Sequence, residues 1–286
     1  MDKATCVIVL LVLAVIAACC VTCAAAGLIA YSGLGAAEWA GVEETIATEV
    51  RVAPPASLRV RNPVGDVTVR PGDLTDRVVV EATKNVRSVS RRAAERLMDE
   101  IEVQVEPGDS GVGVDVILPE ASGTRFGRVD LMITVPEQMS VEVMNEAGHV
   151  RIRGIEGHVR VRSETGTLRL EDVVLVDGCD VMNTTGDILF QGELPAPGSG
   201  GESSEVLLRT ETGDIEFLVP GDSRFTLDAE SETGAVNSKF ELRGLESGRR
   251  EGEPGRWLKG GVNEDPDGGD VILRTETGNI HIGPLP

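Results

Sequence analysis

Four glutamates in this chain, Glu164, Glu211, Glu232 and Glu276, each stand two residues ahead of a glycine, while Asp66, Asp187 and Asp214 each follow one directly. Carboxylates repeated this way and stacked on one another would form an oxygen-rich ladder, the kind of surface that binds a calcium ion weakly. A structural reading competes with it. Arg162, Arg209 and Arg274 stand two residues before three of the glutamates, and exposed pairs of this sort cancel charge while adding little stability. No glycine- and aspartate-rich nonapeptide of the calcium-binding β-roll type accompanies the acids. Ion pairing is the preferred reading, and no metal or other cofactor is expected.

Other reactive side chains are sparse. His149, His158 and His281 are scattered and fall on turn exits or outward positions, so they do not compose a metal triad. Cys179 aligns with Val159 and Val206 in an apolar column and reads as a small buried hydrophobe. A β-helical polysaccharide enzyme needs paired carboxylates in a groove lined by sugar-stacking aromatics. Aromatics make up only 3% of this chain, and Phe190 and Phe217 are committed to core columns. No catalytic residue is assigned, and an enzyme is not expected. The net charge of −20 sets the chain against nucleic acid and anionic surfaces. Within the acid background, Arg256, Trp257 and Lys259 form a basic-aromatic island, with Trp and Arg the usual anchors of an interface. Trp257 could instead fold back over an apolar edge, and the sequence leaves both readings open.

The elements that must position these groups repeat. The pattern apolar-x-apolar-x-(Asn/Ser/Thr)-x-x-Gly-x-apolar-x-apolar occurs seven times, at Gly65, Gly148, Gly166, Gly186, Gly213, Gly234 and Gly278. Asn62, Asn145, Ser163, Asn183, Thr210, Ser231 and Thr275 hold the polar slot three residues earlier. Alternation on both sides of a glycine predicts strand, turn, strand with one face buried. Glycine admits positive φ, and the Asn, Ser or Thr side chain can close the turn on its backbone. A unit of ~20 residues cannot bury an apolar face alone, so copies must stack. The predicted fold is all-β: a β-solenoid, or β-helix-like stack of strand–turn–strand rungs. A two-sheet sandwich is the alternative, less suited to one turn repeated in one register.

Residues 90–100 predict a short amphipathic helix, Ser90 as N-cap and Ala94, Leu97, Met98 and Ile101 inward, placed to cap an open end of the stack. Strands through Val103–Val105 and Val112–Leu118 follow. Segments 191–205 and 244–269, rich in Gly, Pro and charge, predict mobile excursions from the rungs.

The N-terminal part is different in kind. No charged residue occurs between Lys3 and Glu38, a run longer than the ~20 residues a bilayer helix needs. Residues 1–37 predict an uncleaved transmembrane helix, 38–47 a linker, and 48–286 the body. Lys3 before the run and Glu38, Glu43 and Glu44 after it favour an extracytoplasmic body on a single-pass protein of the cell membrane. Lipidation at Cys19 and cleavage after Ala24–Ala26 are the other readings of the same segment. With four of five cysteines in that run, no disulfide framework holds the body.

These features resemble the bacterial putative-adhesin family of β-strand-repeat domains, also called toastrack. The resemblance rests on Asn62-Pro63-Val64-Gly65-Asp66-Val67, the helix at Ala93–Ile101, Ile133-Thr134-Val135-Pro136, and the copies Ser163-Glu164-Thr165-Gly166 and Thr210-Glu211-Thr212-Gly213-Asp214. It covers residues 48–286. It implies a solenoid-like domain tied to the cell envelope, with no catalytic residues to carry over. Two functions follow as expectations: a binding or adhesion-like scaffold for surface glycans or envelope proteins, and a regulatory component of an envelope-stress system acting through a membrane partner.

Overall fold

The computed structural model describes residues 40–53, 56–73, 76–108, 111–119, 126–195, 205–248, 255–263 and 269–286. The expected anchor at 1–37, with Cys19, lies outside the described residues. Among the described residues no helix is long and apolar enough to cross a membrane.

The chain begins with β1 (Ala40–Arg51), β2 (Ser57–Val64), β3 (Val67–Pro71) and β4 (Arg77–Ser88). Helix α1 (Arg91–Glu100), β5 (Glu102–Gly108), β6 (Gly111–Ile117) and β7 (Phe126–Val135) come next. The middle comprises β8 (Ser140–Ala147), β9 (Val150–Arg153), β10 (Glu156–Thr165), β11 (Leu168–Thr185) and β12 (Ile188–Glu193). Then follow β13 (Val206–Thr212), β14 (Ile215–Val219), β15 (Phe225–Thr233) and β16 (Val236–Ser238). The last are β17 (Leu242–Gly248), β18 (Arg256–Val262), β19 (Gly269–Thr277) and β20 (Ile280–Pro284).

Strands that precede the glycine turns form one parallel column, β6-β2-β8-β10-β11-β13-β19-β15. Strands that follow the turns form a second, β7-β3-β9-β11-β12-β14-β20-β16. The long β11 serves both, its first half in the second column and its second half in the first. The inward Val, Leu, Ile and Phe of the two columns merge into one core. Each such side chain, fully buried, stabilises the stack by about 1.5–3 kcal/mol. An exposed ion pair contributes at most about 1 kcal/mol. The inward columns, not the charged outer faces, therefore hold the rungs together.

The turns set how closely rungs approach. Gly166 has φ +144°, a conformation that side chains rarely adopt, and a Cβ there would stand 2.0 Å from the Gly148 carbonyl oxygen. The same obstruction recurs along the column: each of the other turn glycines lies against the carbonyl of a neighbouring turn glycine, except Gly65, which lies against that of Val129 in β7. The polar slot three residues earlier locks that contact. Asn183 Nδ2 donates to the carbonyls of Gly166 (2.8 Å) and Gly186 (3.0 Å), bridging two rungs. Asn62 bridges Gly65 and Val129 in the same way. Thr210, Thr275 and Ser231, each with one donor, reach only the neighbouring turn's carbonyl. The residue after each glycine adds a second tie: Asp66 accepts from the His149 N–H, His149 Nδ1 from the Thr167 N–H, Asp187 from the Asp214 N–H, and Asp214 from the Asn279 N–H.

The order of rungs in space departs from their order in sequence. Strand β13 pairs with β19, not with β15, and β19 then pairs with β15. The copy at Gly278 thus lies between those at Gly213 and Gly234. Between laying down β15 and β19 the chain makes the antiparallel hairpin β17–β18, with β18 paired to β15 on its free side. This corrects the expectation of a mobile excursion at 244–269: its described residues are largely strand. Leu258 and Val262 face the core, but Arg256 and Gly260 share their side and Trp257, Lys259 and Gly261 fill the outward slots, so the composition hides the strand. Aromatic packing continues to this end, with Phe190 stacked on Phe217 and Phe217, Phe225 and Phe240 edge to face.

At the other end β4 and β1 extend the second column beyond β7 by antiparallel pairing, and β5 extends the first in the same way. Helix α1 packs on β4 and β1 through Ala94, Leu97 and Met98, with Ser90 accepting from the Ala93 N–H. The expected linker at 38–47 is corrected as well, because Ala40–Arg51 is a strand in full register with β4. The alternation of Val42, Ile46, Thr48 and Val50 is interrupted by Glu44 in an inward slot. Glu44 lies 3.7 Å from the buried ammonium of Lys84, which also donates to the Ile101 carbonyl at the end of α1.

Two measurements check the turn. Replacing Gly166 with Ala forces a methyl onto the Gly148 carbonyl and is expected to cost about 3 kcal/mol, read as a lowered denaturation midpoint. Asn183→Ala, which removes two donors, should cost about 2 kcal/mol against about 1 kcal/mol for Thr210→Ala. Equal losses would show that the double bridge adds nothing.

Candidate functional site

Because inward slots are filled by core and turn slots by backbone ties, side chains free to meet a ligand are those on the two outward faces. In the first column these are the residues four and six before each glycine. Toward β5 they set opposite charges against each other: Asp115 opposes Arg61, Glu142 opposes Arg59, and Asp180 opposes Arg160. The pairs close at 3.4 Å for Arg61–Asp115, 2.9 Å for Arg59–Glu142 and 3.4 Å for Arg160–Asp180. At the far end Asp228 takes both Arg274 (2.9 Å) and Lys259 (2.8 Å).

Near β5 this face carries two open depressions of about 480 and 600 Å³ that meet at Arg61 and Asp115. The first presents Arg59, Glu106, His158 and Arg160; the second presents Gln104, Ile117, Met144 and Arg162. Asn62, Asn145 and Ser163 reach its rim from the turns. Guanidinium forks and carboxylates held in mutual register can donate to and accept from a ligand rich in hydroxyls and amides. The sequence marks His158, Arg162 and the turn residues Asn62, Asn145 and Ser163, but none of them as a ligand contact, and it leaves the others unmarked. The available signal was their recurrence in the same outward slots of successive copies.

The turn glutamates are only partly paired as expected. Arg209 lies 3.7 Å from Glu276 across a rung, but Arg162 turns to Asp180 and Arg274 to Asp228. Among the described residues no group of three or more His, Cys, Asp or Glu side chains could hold a metal ion. Cys179 is buried in the inward column, and desolvation pushes its thiol far above the ordinary range. Arg256, Trp257 and Lys259 lie together on β18, at the opposite end of the stack from the depressions. Trp257 is half-buried on the outward face, opposite Glu230 and flush against Gly248 of its own hairpin. Arg256 is exposed.

The second column's outward face carries one strongly organised ion cluster. Glu171 accepts two hydrogen bonds from Arg151 (3.0 and 2.8 Å) and one from Arg153 (3.2 Å). It sits where β11 shifts register and Asp172 takes φ +54°, which brings its side chain beneath the two arginines. The Arg151 hydrogen bonds hold the Glu171 carboxyl below its ordinary value of 4.5, outweighing the opposing effect of burial.

Taken with the fold, these faces define a repetitive β-stack whose ligand-capable chemistry is carried on outward side chains of parallel rungs. No family model and no curated protein matches the chain. Among solved structures it is similar to a "putative cell adhesion protein" of Clostridium sporogenes, at 14% identity and TM-score 0.39, over 85% of this chain and 100% of that one. It is also similar to a "putative adhesin" of Bacteroides fragilis, at 12% identity and TM-score 0.27, over 85% and 97%. A "putative lipid binding protein" of Parabacteroides distasonis shows 8% identity and TM-score 0.28, over 85% and 97%. Those names describe those proteins, and the ligand chemistry of this chain has to come from its own side chains.

Glu171 gives a pH test with a definite sign. A carboxyl whose folded pKa is depressed contributes stability above its unfolded pKa and loses it as pH falls through the folded one. The stability gap between the natural chain and Glu171→Gln should therefore be full at neutral pH and shrink as pH drops below 4.5. A gap independent of pH would remove the charge pairing from the account.

Proposed function

We propose that this protein is a non-enzymatic binding scaffold of the cell envelope, carried on a single-pass membrane anchor with the β-stack on the extracytoplasmic side. The observation that supports it most is the first column's outward face, where paired charges of alternating sign surround two adjoining open depressions. Such a face suits a hydroxyl-rich surface glycan, which needs many fixed donors and acceptors and no deep pocket. The apolar run at 1–37 supports the anchor, and the acid bias after it supports the orientation.

A second reading keeps the notion of a regulatory partner. Trp257 and Lys259 present an outward aromatic-cation pair on β18, with exposed Arg256 beside them at the strand's start, the composition of an interface anchor. That pair lies nine strand positions from β1 along the sheet, roughly 40 Å at ~4.8 Å per strand. This favours contact with something beyond the membrane plane over contact with the anchor's neighbours.

The test is retention of the full chain, purified in an uncharged detergent, on isolated envelope polysaccharide. Natural protein should be retained, and His158→Ala combined with Arg160→Ala should weaken retention about tenfold, the ~1.4 kcal/mol that one charged hydrogen bond contributes. No retention on any envelope preparation would overturn the scaffold reading. Retention lost only in Arg256→Ala/Trp257→Ala would shift the site to the hairpin.

A further inference from the structure

The two outward faces answer the same question differently, and the first serves as an internal control for the second. On the first column near β5, cations meet anions from rung to rung, although Arg209 and Arg274 oppose each other further along. On the second column, at the β5 end, arginines outnumber the acids that could pair with them. Thr68, Arg151 and Arg169 stand in register three residues after their glycines. Two residues further along, Arg153 opposes Glu171, and Arg70 occupies the corresponding slot of β3, next to Pro71, which abuts Gly154. Four exposed arginines thus share one glutamate, on a chain whose overall charge is −20.

Like charges directly opposed on adjacent strands destabilise a sheet. Arg151 and Arg169 are opposed in this way, and among the described residues neither Arg70 nor Arg169 has an ion-pair partner. The ion-pair ladder that accounts for the first column near β5 extends here only to Glu171 with Arg151 and Arg153. Between the guanidinia lies an open depression of about 300 Å³ lined by Asp66, Thr68, His149, Arg151, Thr167 and Arg169. Its one acid, Asp66, is already engaged by the His149 N–H and by Arg128.

From this charge pattern we propose that the second column's outward face, through Arg70, Arg151, Arg153 and Arg169, binds a linear acidic polysaccharide bearing carboxylates on successive units. Glu171 shows the mode of recognition: one carboxylate is gripped by Arg151 through a two-pronged contact and by Arg153 through a third. Arg70 and Arg169 extend the same chemistry to either side. Two strand spacings and two residues along the strand set them ~12 Å apart, too far for one carboxylate to serve both. A polymer with repeated carboxylates engages them together, and each added contact raises the effective concentration for the next. The cluster is three strands, ~14 Å, from β1, beyond the ~8 Å reach of a lipid surface potential at physiological salt. It also offers no aromatic platform for nucleotide bases.

The inference extends the envelope-binding reading to a second face and is tested apart from it. Full chain in uncharged detergent is titrated with polygalacturonate and with neutral dextran at low and physiological salt. Polygalacturonate should bind, dextran should not, and affinity should fall with salt. Arg70→Glu combined with Arg169→Glu should weaken polygalacturonate binding at least about tenfold. Arg92→Glu with Arg96→Glu, an equal charge change on exposed α1 positions, should leave it near the natural value. No binding of polygalacturonate, or equal loss in both double variants, overturns the proposal. So does charge-dependent capture by phosphatidylglycerol vesicles or duplex DNA in its place. Retention on envelope polysaccharide that survives the Arg70/Arg169 change would leave the first-column reading standing while this one falls.

Discussion

Everything in this molecule depends on the absence of a β-carbon at one position per rung. Each turn glycine stands so close to a carbonyl of the neighbouring rung or strand that a methyl would fall about 2 Å from its oxygen. Both the contact and the positive φ that permits it demand glycine. With the turns in contact, the strands on either side fall into register, and the side-chain period of two sends the same slots inward in every copy. Asn or a hydroxyl three residues earlier then satisfies carbonyls that the tight turn would otherwise leave unpaired.

A consequence is the separation of labour among positions. Inward slots are fixed by packing, and the turn slots are fixed by backbone contacts. Outward slots are constrained by neither, so beyond ion pairs such as that of Glu171 their chemistry is open to selection for binding. That is why charge pattern on the outer faces can be read for function, and why a difference between two faces of one repeat is informative. Near β5 the first face pairs its charges, whereas the second keeps an arginine surplus that folding alone does not require.

Much of this was legible in the sequence. The glycines, their polar partners and the alternating apolar columns mark the rungs, since each follows from a local steric or hydrogen-bonding need. Helix α1 was legible through Ser90 and the spacing of Ala94, Leu97 and Met98. Less local facts were hidden. Strand β1 escaped notice because Glu44 occupies an inward slot to meet Lys84, forty residues away. The β17–β18 hairpin was masked by glycine and charge in its outward positions. The arginines at 70, 151, 153 and 169 drew no attention singly, because only stacking brings them onto one patch.

The placement of the last copy shows how far nearest-neighbour stacking governs the whole. In a one-dimensional stack each rung gains stability from the rungs on either side. Gly234 makes its close approach to the carbonyl of Gly278, and Gly278 to that of Gly213. The rung laid down earlier in the chain therefore has no seat on the growing stack until β19 and β20 fill the gap. The β18 edge hairpin lies outside that gap, and the Phe217–Phe225 contact spans the two rungs that flank it. Such non-local pairing carries the cost of closing a long loop before its contacts are gained. Seating β19 and β20 inside the stack thus couples the end with Phe225, Phe240 and Trp257 to the glycine ladder, so that this end of the molecule and its centre stand or fall together.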